Sequence, residues 1–161
     1  MPKILLGFMG AGKTTIGRLL DPAFADMDAL LVRRLEMPIS DYFTRYGEES
    51  FRLQESLLLK ELLNQDSSVI STGGGIVLKP ENRELLKKNA CNIYLRIDFD
   101  HLYQRLATDP VNKRPLFLDK NQEEFCTLYE QRLPLYEEVA THVIDVADKT
   151  PEEIVEMIQC L

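Results

Sequence analysis

Cysteine and histidine are scarce in this sequence, and the few present do not cluster. The three cysteines, Cys91, Cys126 and Cys160, are widely spaced and have no CxxC or CxxxH partners. Such isolated thiols predict neither a disulfide framework nor a zinc site. The two histidines, His101 and His142, are also isolated, and we interpret both as ordinary structural residues.

Long hydrophobic runs and an excess of positive charge are absent as well. The apolar stretch near the N-terminus covers only residues 4–9 and is interrupted by Gly7, whereas a membrane span or a complete signal peptide needs roughly 20 residues. We therefore expect a cytoplasmic protein without a membrane partner.

The 19 Lys and Arg residues against 26 Asp and Glu residues give a net charge of −7. That balance argues against a nucleic-acid partner, because binding the phosphate backbone requires positive charge.

The sequence does contain alternating strand and helix patterns. Its 161 residues, 45% of them hydrophobic, predict a single compact domain over residues 1–161, and no repeat or linker interrupts it. The predicted strands are residues 3–6, 24–26, 69–72, 92–97 and 142–146. The predicted helices are residues 13–20, 28–35, 40–46, 48–64, 80–88, 99–107, 123–139 and 151–161. This alternation predicts an α/β fold in which helices cover both faces of a parallel sheet.

The strongest motif is GFMGAGKT at residues 7–14. It matches the P-loop pattern GxxxxGK[ST] and lies between a predicted strand and a predicted helix, which is the context that this motif requires. Its glycines allow the backbone N–H groups to face phosphate oxygens, Lys13 reaches the terminal phosphates, and the Thr14 hydroxyl coordinates Mg²⁺. The motif predicts a nucleoside-triphosphate site.

Other motifs narrow the class of P-loop protein. The sequence contains neither an NKxD element nor an apolar run that ends in Asp-Glu, which argues against a GTPase or a motor-type ATPase and leaves a small phosphotransferase.

Asp26 and Asp28 in FADMD follow a short strand, so they are expected at the same sheet edge as the P-loop. One of them could hold Mg²⁺ and the other accept a proton from a substrate hydroxyl, although a helix-capping role without catalysis stays open.

A second glycine-rich segment and several arginines are less specific. The run VISTGGG at residues 69–75 is either a tight turn or backbone that closely approaches a phosphate or a substrate ring. Arg52 has Glu48 and Glu55 at helical spacing, so it could be an ordinary surface ion pair, and Arg132 could be ordinary surface charge in the same way. Arg105 and Arg114 also read as surface charge from spacing alone. Residues 109–121 are either a surface loop or a lid over a site.

Taken together, the motifs resemble those of the shikimate kinase family. They are, in order, GFMGAGKT, FADMD, GEESFR, ISTGGG, KRPLF and YEQRLPLYE, and the resemblance extends from residue 3 to about residue 153. It implies a nucleoside monophosphate kinase-like fold, a three-layer α-β-α sandwich around a five-stranded parallel sheet. It also implies transfer of the γ-phosphate of MgATP to the 3-hydroxyl of shikimate, in the pathway to aromatic amino acids. We expect the protein to be a monomer.

The resemblance implies a role for particular residues. The implied catalytic residues are Lys13, Asp28 and Arg114, with Asp28 as the base and Arg114 reaching from a lid over residues 109–121. The implied ATP-binding residues are Gly10, Ala11, Gly12, Lys13, Thr14, Thr15, Arg105, Arg114 and Lys149. Shikimate would contact helices within about residues 28–64, and its implied ligands are Asp28, Arg52, Gly73, Gly74, Gly75 and Arg132. Thr14 and Asp26 would hold Mg²⁺.

Two alternatives and one departure accompany this interpretation. A gluconate kinase-like enzyme would share the P-loop but has no need of the two carboxylate-gripping arginines in these particular sequence contexts. A non-catalytic relative would be expected to lack Lys13, Asp28 or Arg52, and all three are present. The departure is that IGRLLDPAFADMD is several residues shorter than in the family. Either the first helix is genuinely short or residues are missing between Leu20 and Asp21. We favour the second alternative, which would leave a Cα–Cα separation well above 3.8 Å.

Overall fold

A computed structural model describes residues 1–108 and 121–161 of the chain. Within them, five strands form one parallel sheet with the order β2-β3-β1-β4-β5. The strands are β1 (Lys3–Leu6), β2 (Ala25–Asp26), β3 (Val69–Ser71), β4 (Cys91–Arg96) and β5 (His142–Asp145). The predicted five-stranded parallel sheet is confirmed, and each predicted strand end agrees with the structure to within one residue.

Helices flank this sheet. They are α1 (Lys13–Leu20), α2 (Met27–Leu35), α3 (Ile39–Leu63), α4 (Pro80–Lys87), α5 (Phe99–Thr108), α6 (Gln122–Val139) and α7 (Pro151–Gln159). Helix α1 packs with α7, whereas α4 packs with both α3 and α6. No helix in the two described ranges has the length and apolar character needed to cross a membrane.

Local sequence explains where several helices begin and bend. Asp26, Asn121 and Thr150 cap α2, α6 and α7, because each side-chain oxygen accepts a hydrogen bond from a backbone N–H in the first turn of its helix. The two helices predicted over residues 40–46 and 48–64 are confirmed as the two parts of α3, which meet at a kink. Gly47 lies at the junction with φ 85° and ψ 166°, a conformation that glycine tolerates and other residues rarely adopt.

The sheet brings the two glycine-rich segments together. Strand β1 is central and its residues Ile4, Leu5 and Leu6 are fully buried, as expected for a parallel strand covered on both faces. Strand β3 is its direct neighbour, and the Thr72 hydroxyl just beyond β3 donates to the Leu5 carbonyl at 2.7 Å. The P-loop follows β1 and the triple glycine follows β3, so both segments leave the same edge of the sheet.

The expectation of missing residues after Leu20 is wrong. The Asp21 amide donates to the Gly17 carbonyl at 3.0 Å, and the Phe24 amide donates to the Asp21 carbonyl at 2.9 Å, so the chain continues through a tight turn into β2. The physical reason is Gly17, where a β-carbon would lie 2.6 Å from the Phe24 ring. Because glycine has no side chain, the Phe24 ring fits against α1, and the chain turns back after this short helix.

Candidate active site

The P-loop wraps around its own lysine. Gly10 and Gly12 have φ values of 84° and 97°, which few residues other than glycine adopt. Lys13 Nζ donates to the Gly7 carbonyl at 2.6 Å and to the Phe8 carbonyl at 3.0 Å, and the lysine side chain is buried. The ammonium group therefore lies inside the loop at the start of α1, where a helix N-terminus favours phosphate binding.

A cleft of about 580 Å³ opens beside this loop. Its lining residues are Met9, Gly10, Gly12, Lys13, Thr14, Thr15, Arg18, Asp26, Asp28, Thr72, Gly74, Arg105 and Leu106. Nine of these belong to the residue set predicted from the sequence. Arg105 Nη1 also donates to the Gly10 carbonyl at 3.3 Å, so α5 contributes a positive charge next to the P-loop.

Thr14 and Asp26 form an oxygen-rich corner of the cleft. Thr14 Oγ1 lies 3.4 Å from Asp26 Oδ2, and Asp26 Oδ1 accepts from the Ala29 amide at 3.3 Å. The capping bond to α2 orients the carboxylate toward the P-loop. Hard oxygen donors are what Mg²⁺ prefers, and this ion is usually held by one or two protein oxygens together with substrate phosphates. The donor set therefore fits Mg²⁺.

The three consecutive glycines, Gly73, Gly74 and Gly75, are packed against polar side chains. A β-carbon at Gly73 would lie 2.7 Å from Glu55 Oε2 and 2.9 Å from Asp28 Oδ1, and one at Gly75 would lie 2.1 Å from an Arg52 nitrogen. At such distances the neighbouring carboxylates or guanidinium would have to shift. The triple glycine therefore forms a turn, with Ile76 N–H donating to the Gly73 carbonyl at 3.2 Å, and also lets polar side chains approach its backbone closely.

Arg52 is buried rather than part of a surface ion pair. Its side chain is 9% exposed, and it donates to Glu55 Oε1 at 3.0 Å and to Glu48 Oε1 at 3.3 Å. The guanidinium also lies 5.4 Å from the centroid of the Phe51 ring. Its Nε has no hydrogen-bond partner among the described residues, and a buried N–H in that position is normally satisfied.

Arg132 has the same character. It is 2% exposed, and its guanidinium lies 5.3 Å from the centroid of the Phe8 ring in the P-loop. Burial lowers the pKa of Arg132, and the nearby charge of Arg52 lowers it too, although a guanidinium stays protonated in proteins. Its Nε also lacks a partner in the described part of the chain. Two buried positive charges thus lie close together beside the triple glycine.

Several site residues were not identified from the sequence. Glu55 holds Arg52, and burial raises the pKa of Glu55 above its usual 4.5, against the charge of Arg52, which lowers it. Tyr136 donates its hydroxyl proton to the Gly74 carbonyl. Arg18 lines the cleft four residues after Thr14 on α1. Each of the three lies three or four residues along a helix from a predicted site residue: Glu55 from Arg52, Tyr136 from Arg132 and Arg18 from Thr14. That spacing is the sequence signal by which they could have been found.

Other predicted site residues lie elsewhere. Lys149 is not among the residues that line the cleft. Its Nζ donates to the Asp145 carbonyl at 2.7 Å, and it borders a separate depression with Glu153 and Met157. Ala11 is buried in the P-loop. Arg114 and the predicted lid, apart from residue 121, lie outside the described residues.

The fold and the cleft define the class of the protein. A P-loop follows the central strand of a five-stranded parallel sheet, and an Mg²⁺-compatible corner and a carboxylate, Asp28, face the phosphate-binding loop. This is the architecture of a P-loop phosphotransferase with a nucleoside monophosphate kinase-like fold. A family model described as shikimate kinase matches residues 9–160, and the chain belongs to that family.

Individual relatives support this assignment. A shikimate kinase of Streptococcus gordonii is 59% identical over 161 residues, which is 100% of both chains. A shikimate kinase of Streptococcus thermophilus is 45% identical, again with 100% of both chains covered. Among solved structures, shikimate kinase from Acinetobacter baumannii in complex with shikimate is 34% identical, with a TM-score of 0.89 over 99% of this chain and 91% of that one.

A likeness to other kinases is confined to the fold. A gluconokinase from Sinorhizobium meliloti has a TM-score of 0.56 but only 18% identity, over 99% of this chain and 89% of that one. The family match and the full-length relatives therefore decide against the gluconate kinase-like alternative.

Proposed function

We propose that this protein transfers the γ-phosphate of ATP to the 3-hydroxyl of shikimate, giving shikimate 3-phosphate and ADP. The product belongs to the pathway to chorismate and the aromatic amino acids. The observation that carries the proposal is the pair of buried arginines, Arg52 and Arg132, beside a P-loop in a member of the shikimate kinase family. Arg52 is paired with Glu48 and Glu55, but Arg132 forms no ion pair within the described residues. A buried guanidinium of this kind needs an anionic partner, and the shikimate carboxylate fits that requirement.

Arg52 and Arg132 bind the carboxylate of shikimate in this proposal. Each guanidinium has a buried Nε without a partner among the described residues, so a carboxylate supplies acceptors for N–H groups that would otherwise stay unsatisfied. The planar forks of arginine suit a carboxylate in a way that lysine cannot reproduce. The triple glycine at residues 73–75 lets the ring of the substrate approach these arginines.

Asp28 accepts the proton from the attacking hydroxyl. Its carboxylate lines the cleft that holds Lys13 and also lies against Gly73, so it joins the phosphate site to the arginines. As the 3-hydroxyl oxygen bonds to the γ-phosphorus, the bond from that phosphorus to the β–γ bridging oxygen breaks. The hydroxyl proton passes to Asp28, and ADP leaves.

The remaining groups neutralise charge on the phosphates. Lys13 and the P-loop amides bind the β- and γ-phosphates, and Gly10, Gly12 and Thr15 line the same part of the cleft. Thr14 and Asp26 would hold Mg²⁺, which when bound supplies positive charge to the phosphate oxygens. For Arg105, Arg114 and Lys149 the proposal rests on the family resemblance: Arg114 reaches the transferring phosphoryl group, while Arg105 and Lys149 serve the adenine end of ATP.

A coupled assay for ADP release tests the proposed function. Purified protein with MgATP should release ADP rapidly with shikimate and slowly without it, and mass spectrometry should detect a singly phosphorylated product. Methyl shikimate keeps the ring and hydroxyls but lacks the carboxylate charge, so it should have a much higher KM. Lys13→Met is the inactive control. ADP release that is equal with and without shikimate, and without a phosphorylated product, would contradict the proposal.

We also propose that the protein acts as a monomer in the cytoplasm. Its proposed substrates, ATP and shikimate, are small anions. The net charge of −7 is consistent with the absence of a nucleic-acid or lipid-surface partner. Size-exclusion chromatography with light scattering should give a mass close to 18.5 kDa, and a dimer mass would contradict this part of the proposal.

A further inference from the structure

Tyr136 touches two separate parts of the proposed carboxylate site. It is 1% exposed, its hydroxyl donates to the Gly74 carbonyl, and its ring stacks on Tyr94 with centroids 5.1 Å apart. Building on the proposed function, we propose that Tyr136 is a positioning residue for shikimate. It ties the triple-glycine loop to α6 and so fixes where the Arg132 guanidinium meets the substrate carboxylate.

The geometry around Gly74 carries this inference. Tyr136 follows Arg132 by four residues on α6, so the two side chains lie on one face of the helix. A β-carbon at Gly74 would lie 3.6 Å from Arg132 Nη1 and 3.7 Å from the Tyr136 hydroxyl oxygen. Both groups therefore lie against the same glycine, which lines the cleft beside the P-loop.

The hydroxyl of Tyr136 can serve both neighbours at once. A phenol has one donor proton and two acceptor lone pairs. Its proton is committed to the Gly74 carbonyl, so only the oxygen lone pairs can face the N–H groups of Arg132. Burial raises the pKa of Tyr136, against the charge and hydrogen bond of Arg132, which lower it. The phenol consequently stays protonated and neutral under ordinary conditions.

Neutrality is what suits Tyr136 to this role. The charge of Arg52 acts on Arg132, so the two guanidinium groups repel each other. Arg52 already pairs with Glu48 and Glu55, so a carboxylate beside Arg132 would compensate the remaining guanidinium charge that the substrate has to meet. A tyrosine hydroxyl orients Arg132 and leaves its charge available to shikimate.

Tyr136→Phe tests the inference, with Tyr129→Phe as its matched control. Tyr129 lies on the same helix, is also buried, and its hydroxyl donates to the Ile97 carbonyl at 2.5 Å. Both variants lose one buried tyrosine-to-carbonyl hydrogen bond, but only Tyr136 contacts the glycine loop. Tyr136→Phe should raise the KM for shikimate about tenfold, as expected for losing a hydrogen bond at a charged group, while the KM for ATP stays within about twofold of the wild-type value. Tyr129→Phe should leave both values unchanged.

A readout without turnover separates positioning from a general structural effect. Saturating shikimate should raise the melting temperature of the wild-type protein and of Tyr129→Phe, and should raise that of Tyr136→Phe much less. Two results would overturn this inference but not the proposed function. One is an equal KM for shikimate in Tyr136→Phe and Tyr129→Phe. The other is an equal change in the KM values for ATP and for shikimate in Tyr136→Phe. A wild-type protein with neither shikimate-dependent turnover nor a shikimate-induced melting shift would overturn the proposed function and this inference with it.

Discussion

The guanidinium of Arg52 occupies the space that a side chain at Gly75 would need. A β-carbon at Gly75 would lie 2.1 Å from Nη1 and 2.3 Å from Cζ of Arg52. Gly75→Ala should therefore displace the guanidinium and raise the KM for shikimate roughly 10- to 100-fold, the range expected when a hydrogen bond to a charged group is lost. Steady-state kinetics with varied shikimate at saturating MgATP measure this change.

The double variant Gly75→Ala/Arg52→Ala shows whether the effect acts through Arg52. If the alanine at position 75 only displaces the guanidinium, the double variant should have nearly the same KM as Arg52→Ala alone, because interacting residues are not additive. Additive losses in the double variant would mean that Gly75 contacts the substrate in another way.

Asp28 and Arg52 should affect different kinetic constants. Asp28→Asn removes the proton acceptor but keeps the shape, so kcat should fall by roughly 10²- to 10⁴-fold, as is typical for loss of a general base. Arg52→Ala should mainly raise the KM for shikimate, because it removes a contact made before and during the reaction. A kcat loss confined to Arg52→Ala, with a KM effect confined to Asp28→Asn, would reverse the two roles.

Local patterns were sufficient to predict the sheet and the P-loop. Strand β1 is a short apolar run followed at once by a glycine-rich loop and a helix, and each of those signals depends only on neighbouring residues. The relation between β1 and β3 then follows from the way parallel strands present their carboxyl ends to one edge. The sequence therefore predicts that Asp28 and the triple glycine lie near Lys13.

The burial of Arg52 and Arg132 could not be predicted in that way. Arg52 has glutamates at helical spacing, which is also the pattern of a solvated helix face, and the sequence around Arg132 does not distinguish it from a surface arginine. The two arginines are buried because α3 and α6 pack around residues 73–75. A local sequence pattern does not show how distant helices pack. The family resemblance suggested a role for both arginines, and the structure explains why the role needs glycine next to them.

Glu55 should make stability depend on pH in a defined direction. Burial raises the pKa of Glu55 above 4.5 in the folded protein, so the folded state holds the proton more tightly than the unfolded state. The resulting stabilisation is complete below pH 4.5 and is lost as the pH rises through the folded pKa. Glu55→Gln stays neutral and lacks this contribution. The free energy of unfolding of the wild type, relative to Glu55→Gln, should therefore decrease as the pH rises from 4.5 toward neutrality.

Urea unfolding of the two proteins at a series of pH values measures that difference. Other titrating groups are common to both proteins and cancel to a first approximation. A relative stability of the wild type that grows with pH would show that Arg52 and Arg132 stabilise the ionised carboxylate more than burial destabilises it.

Two opposing effects decide how Gly17→Ala changes the free energy of unfolding: the helix preference of alanine and a clash with Phe24. Alanine is favoured over glycine inside a helix by about 1 kcal/mol, but a β-carbon at Gly17 would lie 2.6 Å from Cδ2 and 2.8 Å from Cε2 of Phe24. Overpacking of this kind typically costs about 1–3 kcal/mol. Gly17→Ala should therefore lower the free energy of unfolding, by about 1 kcal/mol if the clash costs 2 kcal/mol.

Removing the ring should reverse the sign of that effect. In a Phe24→Ala background the space beside Gly17 is open, so Gly17→Ala should raise the free energy of unfolding by about 1 kcal/mol. Urea unfolding followed by circular dichroism, on the wild type, both single variants and the double variant, completes the cycle. If Gly17→Ala stabilised the protein with Phe24 present, the ring would have to move away at little cost. The tight turn after α1 would then need another explanation than the space left by Gly17.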